Sequence, residues 1–278
     1  MRLILTIIAS LSLSTCMLVD NFDDEPMYLE VQDISFMSDN SEIAENDNIT
    51  DVWVFIDGVS RGVQPLPAII PVLGDQDVEV ALFAGVRESG QLFIANQYPF
   101  YDRLELNIPF QPGVTIPVDF ETSYVAGSMI ALNDNFEGQT EFTVDFDGDL
   151  NSTIGFSNDT PFGELAGRID VTSDNSDFIQ GTGAVFDTGN FGNREVFLEM
   201  DHNNDVGFVV GIAGISGSVG LTLPVINLFP NDDWEKLYIN LGNILNLEAI
   251  EQFQVFIAGD RTSGSGTILI DNIRLLHF

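Results

Sequence analysis

The chain has 278 residues and a formal net charge of −34, from 43 acidic side chains against nine lysine and arginine residues. A surface this negative makes nucleic acid and anionic lipid headgroups poor partners, while 45% hydrophobic residues, including 22 phenylalanines, exclude a disordered acidic tail. The length suits one or two domains with dense cores under a negative skin.

Taken in chain order, the first feature is an uncharged apolar run over residues 3–15 after Arg2. It is too short for the ~20 residues that span a bilayer and has the length of an export signal core. Cys16 follows, the one cysteine of the chain, so no intramolecular disulfide can form. Leu13-Ser14-Thr15-Cys16 resembles the lipobox of bacterial lipoproteins, with Thr15 where Gly, Ala or Ser is usual. The resemblance implies a signal peptide over residues 1–15 and a lipid on Cys16, through which alone the protein would touch the membrane. Residues 16–27 form an acidic tether with Asp20, Asp23, Asp24 and Glu25. That composition is similar to the sorting signal of some outer-leaflet lipoproteins, so the expected location is exported, anchored to the outer membrane and surface-exposed.

Beyond the tether, short runs of alternating or β-branched apolar residues recur between Gly, Pro, Asn and Asp: 52–56, 78–83, 104–108 and 115–118, then 142–146, 196–200, 208–212, 253–257 and 268–271. This texture predicts an all-β fold of two β-sandwich domains, the second a jelly roll. One short helix is expected around 242–252, with Ile244, Leu245, Leu247 and Ile250 on a single apolar face. Residues 28–124 form the first domain. Its run V-W-V-F-I-D-G, ending in the turn dipeptide Asp57-Gly58, resembles a small immunoglobulin-like or PEGA-like sandwich, a kind of module that usually serves as a spacer. Trp53, in the middle of that run, is expected in the core.

Residues 125–278 open with Asn135-Phe136-Glu137 and close with Ile270-Asp271-Asn272. These ends resemble the galactose-binding-like jelly roll shared by many carbohydrate-binding modules, as does NDDWEKLYINL with Trp234, Leu237, Tyr238 and Leu241. The resemblance implies that Glu137 and Asp271 lie near a structural calcium, because the first and last strands are neighbours.

Catalytic chemistry is thinly represented. His202 and His277 are the only histidines, no zinc-ligand spacing occurs, and a carboxylate pair has no diagnostic value among 43 acids. Asp145-Phe146-Asp147-Gly148-Asp149 and Asp201-His202-Asn203-Asn204-Asp205 have the opening spacing of calcium loops without the twelfth-position glutamate. Both are read as turns, the second as a hairpin between two strands. No regularly spaced exposed aromatics are evident. Phe156, Phe162, Phe178, Phe186 and Phe191 are divided between core and loop-end groove.

The expectation is a non-enzymatic lipoprotein that presents its jelly roll to a glycan or another surface component, the ligand-binding residues unassigned. The alternative is a non-catalytic assembly partner of an outer-membrane complex. A glycan site needs polar groups beside an apolar face; a docking protein needs a broad apolar patch.

Overall fold

The computed structural model describes residues 25–278 except 75, 90–94, 149–152, 173–177, 193–194 and 260–264, so Cys16 and most of the expected tether lie outside the described residues. The fold is all-β. Ten strands make up the first part: β1 (Met27–Val31), β2 (Ile34–Phe36), β3 (Ile49–Ile56), β4 (Val59–Pro65), β5 (Ala68–Val72), β6 (Val78–Val86), β7 (Asn96–Gln97), β8 (Leu104–Ile108), β9 (Thr115–Pro117) and β10 (Phe120–Thr122). They form a sheet β5-β1-β9, a pair β10-β2, and a five-stranded sheet β4-β3-β6-β7 with β8 also on β6. Alternation places Val52, Val54 and Ile56 of β3 and Val80 and Leu82 of β6 in a core with Leu29 of β1 and Ile70 of β5.

The same alternation turns Trp53 and Phe55 to the opposite face, and this corrects the expectation for Trp53. It lies outside the core cluster and is partly exposed, donating its indole N–H to the Ala95 carbonyl at 3.0 Å. An unbroken apolar run hides this, because VWVFI fills both faces of one strand.

The second part contains β11 (Met129–Asp134), β12 (Phe142–Asp145), β13 (Gly155–Ser157), β14 (Ala166–Val171), β15 (Ile179–Thr182), β16 (Phe186–Asp187), β17 (Val196–Asn204), β18 (Phe208–Ser216), β19 (Val219–Leu228), β20 (Asn231–Asn240), β21 (Gln252–Gly259) and β22 (Gly266–His277). One sheet runs β13-β14-β22-β17-β20 with β11 also on β22; the other runs β12-β15-β21-β18-β19 with β16 also on β21. Their facing residues, among them Leu198, Met200, Ile239, Ile270 and Leu275 from the first and Phe208, Val210, Ile212, Val255 and Ile257 from the second, form the jelly-roll core. Helix α1 (Gly242–Leu247) is shorter than expected. Leu245 and Ile250 are buried, but Leu247 is 80% exposed, so the apolar face does not include it.

The two end motifs have local structural roles. Phe136, at a φ of 56°, is fully buried on Gly167, where an added β-carbon would come within 2.6 Å of its ring. Asn272, at a φ of 49°, lies where the β17–β22 register gains one residue on β22 between Arg274 and Asp271. This bulge lets Ile270 and Ile273 both face the core, and asparagine tolerates the left-handed backbone it requires.

Candidate functional site

The outer face of the sheet containing β17, β20 and β22 meets the first part of the chain. Phe197, Tyr238 and Leu276 from this face belong to the first part's core cluster. Between the two parts lies Glu199, fully buried. It accepts hydrogen bonds from Tyr98 Oη at 2.7 Å and Tyr124 Oη at 2.8 Å, and pairs with Lys236 Nζ at 2.9 Å and Arg274 Nη1 at 3.6 Å. Burial pushes this carboxyl up, but the charges of Lys236 and Arg274 outweigh it and hold Glu199 below the usual carboxylate range. Two residues along, Asp201 accepts from Asn46 Nδ2 at 2.7 Å and Asn272 Nδ2 at 2.9 Å, and burial leaves it raised. This dense polar cluster is closed to solvent, so it joins the two parts and cannot receive a ligand. The first part thereby covers the centre of one of the two outer faces of the jelly roll.

The other outer face carries a groove of about 460 Å³ across β15, β21, β18 and β19. Register aligns Gln252 with Ile215, and Gln254 with Ala213 and then Thr222, so these side chains share that face. Phe146, 38% exposed, lies across Gly181, where an added β-carbon would sit 2.2 Å from ring Cε2. Any side chain at 181 would displace the ring, so glycine is needed there. Val185 and Ile215 are exposed on the groove's apolar side. Gln254 donates from Nε2 to the Thr182 carbonyl at 2.5 Å, which fixes its amide. The described residues lining the groove include no acid, base or thiol; they offer the amides of Gln252 and Gln254 and the hydroxyl of Thr222 for hydrogen bonding.

Glu137 and Asp271 are brought near each other, close enough that the charge of Glu137 raises Asp271. Glu137 Oε1 accepts from the backbone N–H groups of Glu164 at 2.7 Å and Leu165 at 3.2 Å, while Asp271 Oδ2 accepts from Thr160 Oγ1 at 2.8 Å. Both carboxylates therefore hold the loop before β14. They would supply two of the six to eight oxygens that calcium takes. Among the described residues, no group of three or more His, Cys, Asp and Glu side chains converges to hold a metal.

The first Asp-rich segment is a turn: Asp145 Oδ1 accepts from Asp147 N at 3.0 Å and Gly148 N at 2.8 Å, while Asp149 lies outside the described residues. The second differs from expectation. Residues 201–204 belong to β17, and the chain turns only after Asn204. His202 is buried inside the sandwich, its Nδ1 2.7 Å from Asn204 Oδ1, and burial pushes its pKa down; His277 stacks on Phe191 at 4.2 Å. Phe178, Phe186 and Phe191 are core, whereas Phe156 is exposed and Phe162 packs edge-on against Trp234. The groove was missed in the sequence because its lining comes from six separate stretches of the chain. Phe146 and Gly181 carry no local sign of their contact.

No family model matches the chain, and no curated protein matches it. Among solved structures it is similar to a xylan-binding domain of carbohydrate-binding module family 22, at 14% identity over 53% of this chain and 94% of that one, with a TM-score of 0.36. It is also similar to a family 11 module from Clostridium thermocellum in complex with a β-1,3-1,4-mixed-linked tetrasaccharide, at 16% identity, 54% and 96% coverage and a TM-score of 0.36. A family 30 module of a cellulosomal cellulase from the same organism gives 13%, 53%, 92% and 0.36. At that degree of likeness a neighbour's ligand does not transfer to this chain.

Proposed function

We propose that this is a non-catalytic, exported protein, lipid-anchored through Cys16 to the outer membrane, that binds a glycan in the open groove of its jelly roll. The observation that carries the ligand class is the pairing of an aromatic side, Phe146 over Gly181, with the neutral amides Gln252 and Gln254 in one groove. A pyranose presents an apolar face that packs on an aromatic ring and hydroxyls that both donate and accept, which an amide matches and a lone charge does not. A calcium ion between Glu137 and Asp271 belongs to the same proposal as a structural element, supported by the nearness of the two carboxylates.

The test is retention of the soluble chain on immobilised neutral polysaccharides, comparing wild type with Phe146→Ala and Gln254→Ala. Each substitution should weaken binding about tenfold, the scale of one stacking or hydrogen-bonding contact. Retention of neither wild type nor variants, or equal retention of all three, overturns the reading. Exposed Val185, Ile215 and Val219 favour protein docking as the second reading.

A further inference from the structure

The first part of the chain carries an aromatic face that no core explains. Trp53 and Phe55 stand two residues apart on β3, and Phe83 on β6 is the direct register partner of Trp53. The three side chains therefore share the outer face of the five-stranded sheet, and all are partly exposed. Phe55 and Phe83 meet edge-on at 5.3 Å. A polar rim lies alongside on β8 and just before it. Glu105 and Asn107 pair with Ala81 and Glu79 of β6, and the Arg103 guanidinium stands 5.6 Å from the centre of the Phe83 ring. Arg103 Nη2 is 2.7 Å from Glu105 Oε1. The shallow cavity lined by Phe55, Phe83, Glu79, Arg103, Glu105 and Asn107 has a volume of about 610 Å³.

We propose that this face is a second ligand site, for a neutral polyhydroxylated ligand of the pyranose class. Three partly exposed aromatics on one sheet face, beside a charged pair, mark a surface that can receive a ligand. The rim decides the chemistry. Arg103 is a donor only and Glu105 an acceptor only, and they stand together beside the rings. Adjacent hydroxyls of a sugar satisfy such a pair simultaneously while its apolar face packs on the aromatics. An anionic ligand would face Glu79, Glu105 and a chain of net charge −34; a cationic one would meet Arg103 where it already occupies the Phe83 ring. The site shares no residue with the groove of the jelly roll, so the inference is independent of the function proposed above.

The full soluble chain carrying Trp234→Phe leaves Trp53 as its only tryptophan and hence as a reporter beside the site, next to Phe83. Titration with soluble neutral β-glucan, xylan and mannan oligosaccharides should shift its emission saturably with at least one of them. Phe83→Ala and Arg103→Ala should each weaken that response about tenfold, and Phe146→Ala should leave it unchanged. Arg103 is 52% exposed, so its replacement keeps the test available should Phe83→Ala fail to fold. A response to none of the sugars, to a lysine-rich peptide alone, or one that survives both Phe83→Ala and Arg103→Ala overturns the proposal. Loss in Phe146→Ala with the other two variants intact assigns the binding to the jelly-roll groove and also overturns it.

Discussion

Asp271 shows how much one side chain can tie together. It lies on the last strand, its neighbours in space are Thr160, Asp201 and Glu137, and it is raised from the ordinary aspartate value to about 7, burial being the largest cause. A carboxyl with a raised folded pKa binds its proton more tightly folded than unfolded. Its contribution to stability is complete below about pH 4 and is lost as pH rises to about 7, at up to about 1.4 kcal/mol per pH unit. Urea unfolding at pH 5 and pH 8 should show that fall in wild type and a flatter profile in Asp271→Asn. If the proposed calcium binds between Glu137 and Asp271, it should reverse the loss at pH 8. A hundredfold excess over Kd adds about 2.7 kcal/mol. Glu137→Gln and Asp271→Asn should each abolish that gain at an ionic strength that screens diffuse charge. A calcium gain that persists in both variants would identify general neutralisation of the acidic surface instead.

At the scale of elements, the outer face of β17, β20 and β22 is the unusual feature. The chain has nine basic residues, one of them a lysine, yet Lys236 and Arg274 are both buried beside Glu199. Breaking such a group leaves a charge inside without its partner, so Lys236→Ala should destabilise the chain by about 3–5 kcal/mol. Arg168→Ala, which removes a pair with Asp170 that is largely exposed, should change stability by less than about 1 kcal/mol. Equilibrium urea unfolding at pH 7 measures both, and similar small losses would refute the role assigned to the cluster. The same face explains an error of sequence reading. Asp201 to Asn204 look like a turn because a polar run has no apolar periodicity, but a strand stays a strand when a second domain satisfies its polar face.

For the whole molecule, the proposed anchoring rests on the residues that precede the first strand. Residues before the first strand supply the proposed anchor, and Cys16→Ser should move the protein from the membrane fraction to the soluble one. A variant that still sediments with membranes after a high-salt wash would exclude the lipid on Cys16 as the anchor. Once anchored, the chain would present, among the described residues, the aromatic face of the first part and the groove of the second. Strand texture, the jelly-roll class and the nearness of Glu137 to Asp271 were all legible in the sequence. Alternation is local, and the end motifs carry the bulge at Asn272 and the buried Phe136 within a few residues. The outward turn of Trp53 was within reach too, since Trp53 and Phe55 have the period of two that marks one face of a strand. Which face of each sheet stays open was decided only in three dimensions. A strand's sequence says which side chains share a face, but the choice between core, interface and solvent depends on what packs there. Here Tyr98, Tyr124 and Asn46, which reach Glu199 and Asp201 from 75 to 155 residues away, settle it for the jelly roll.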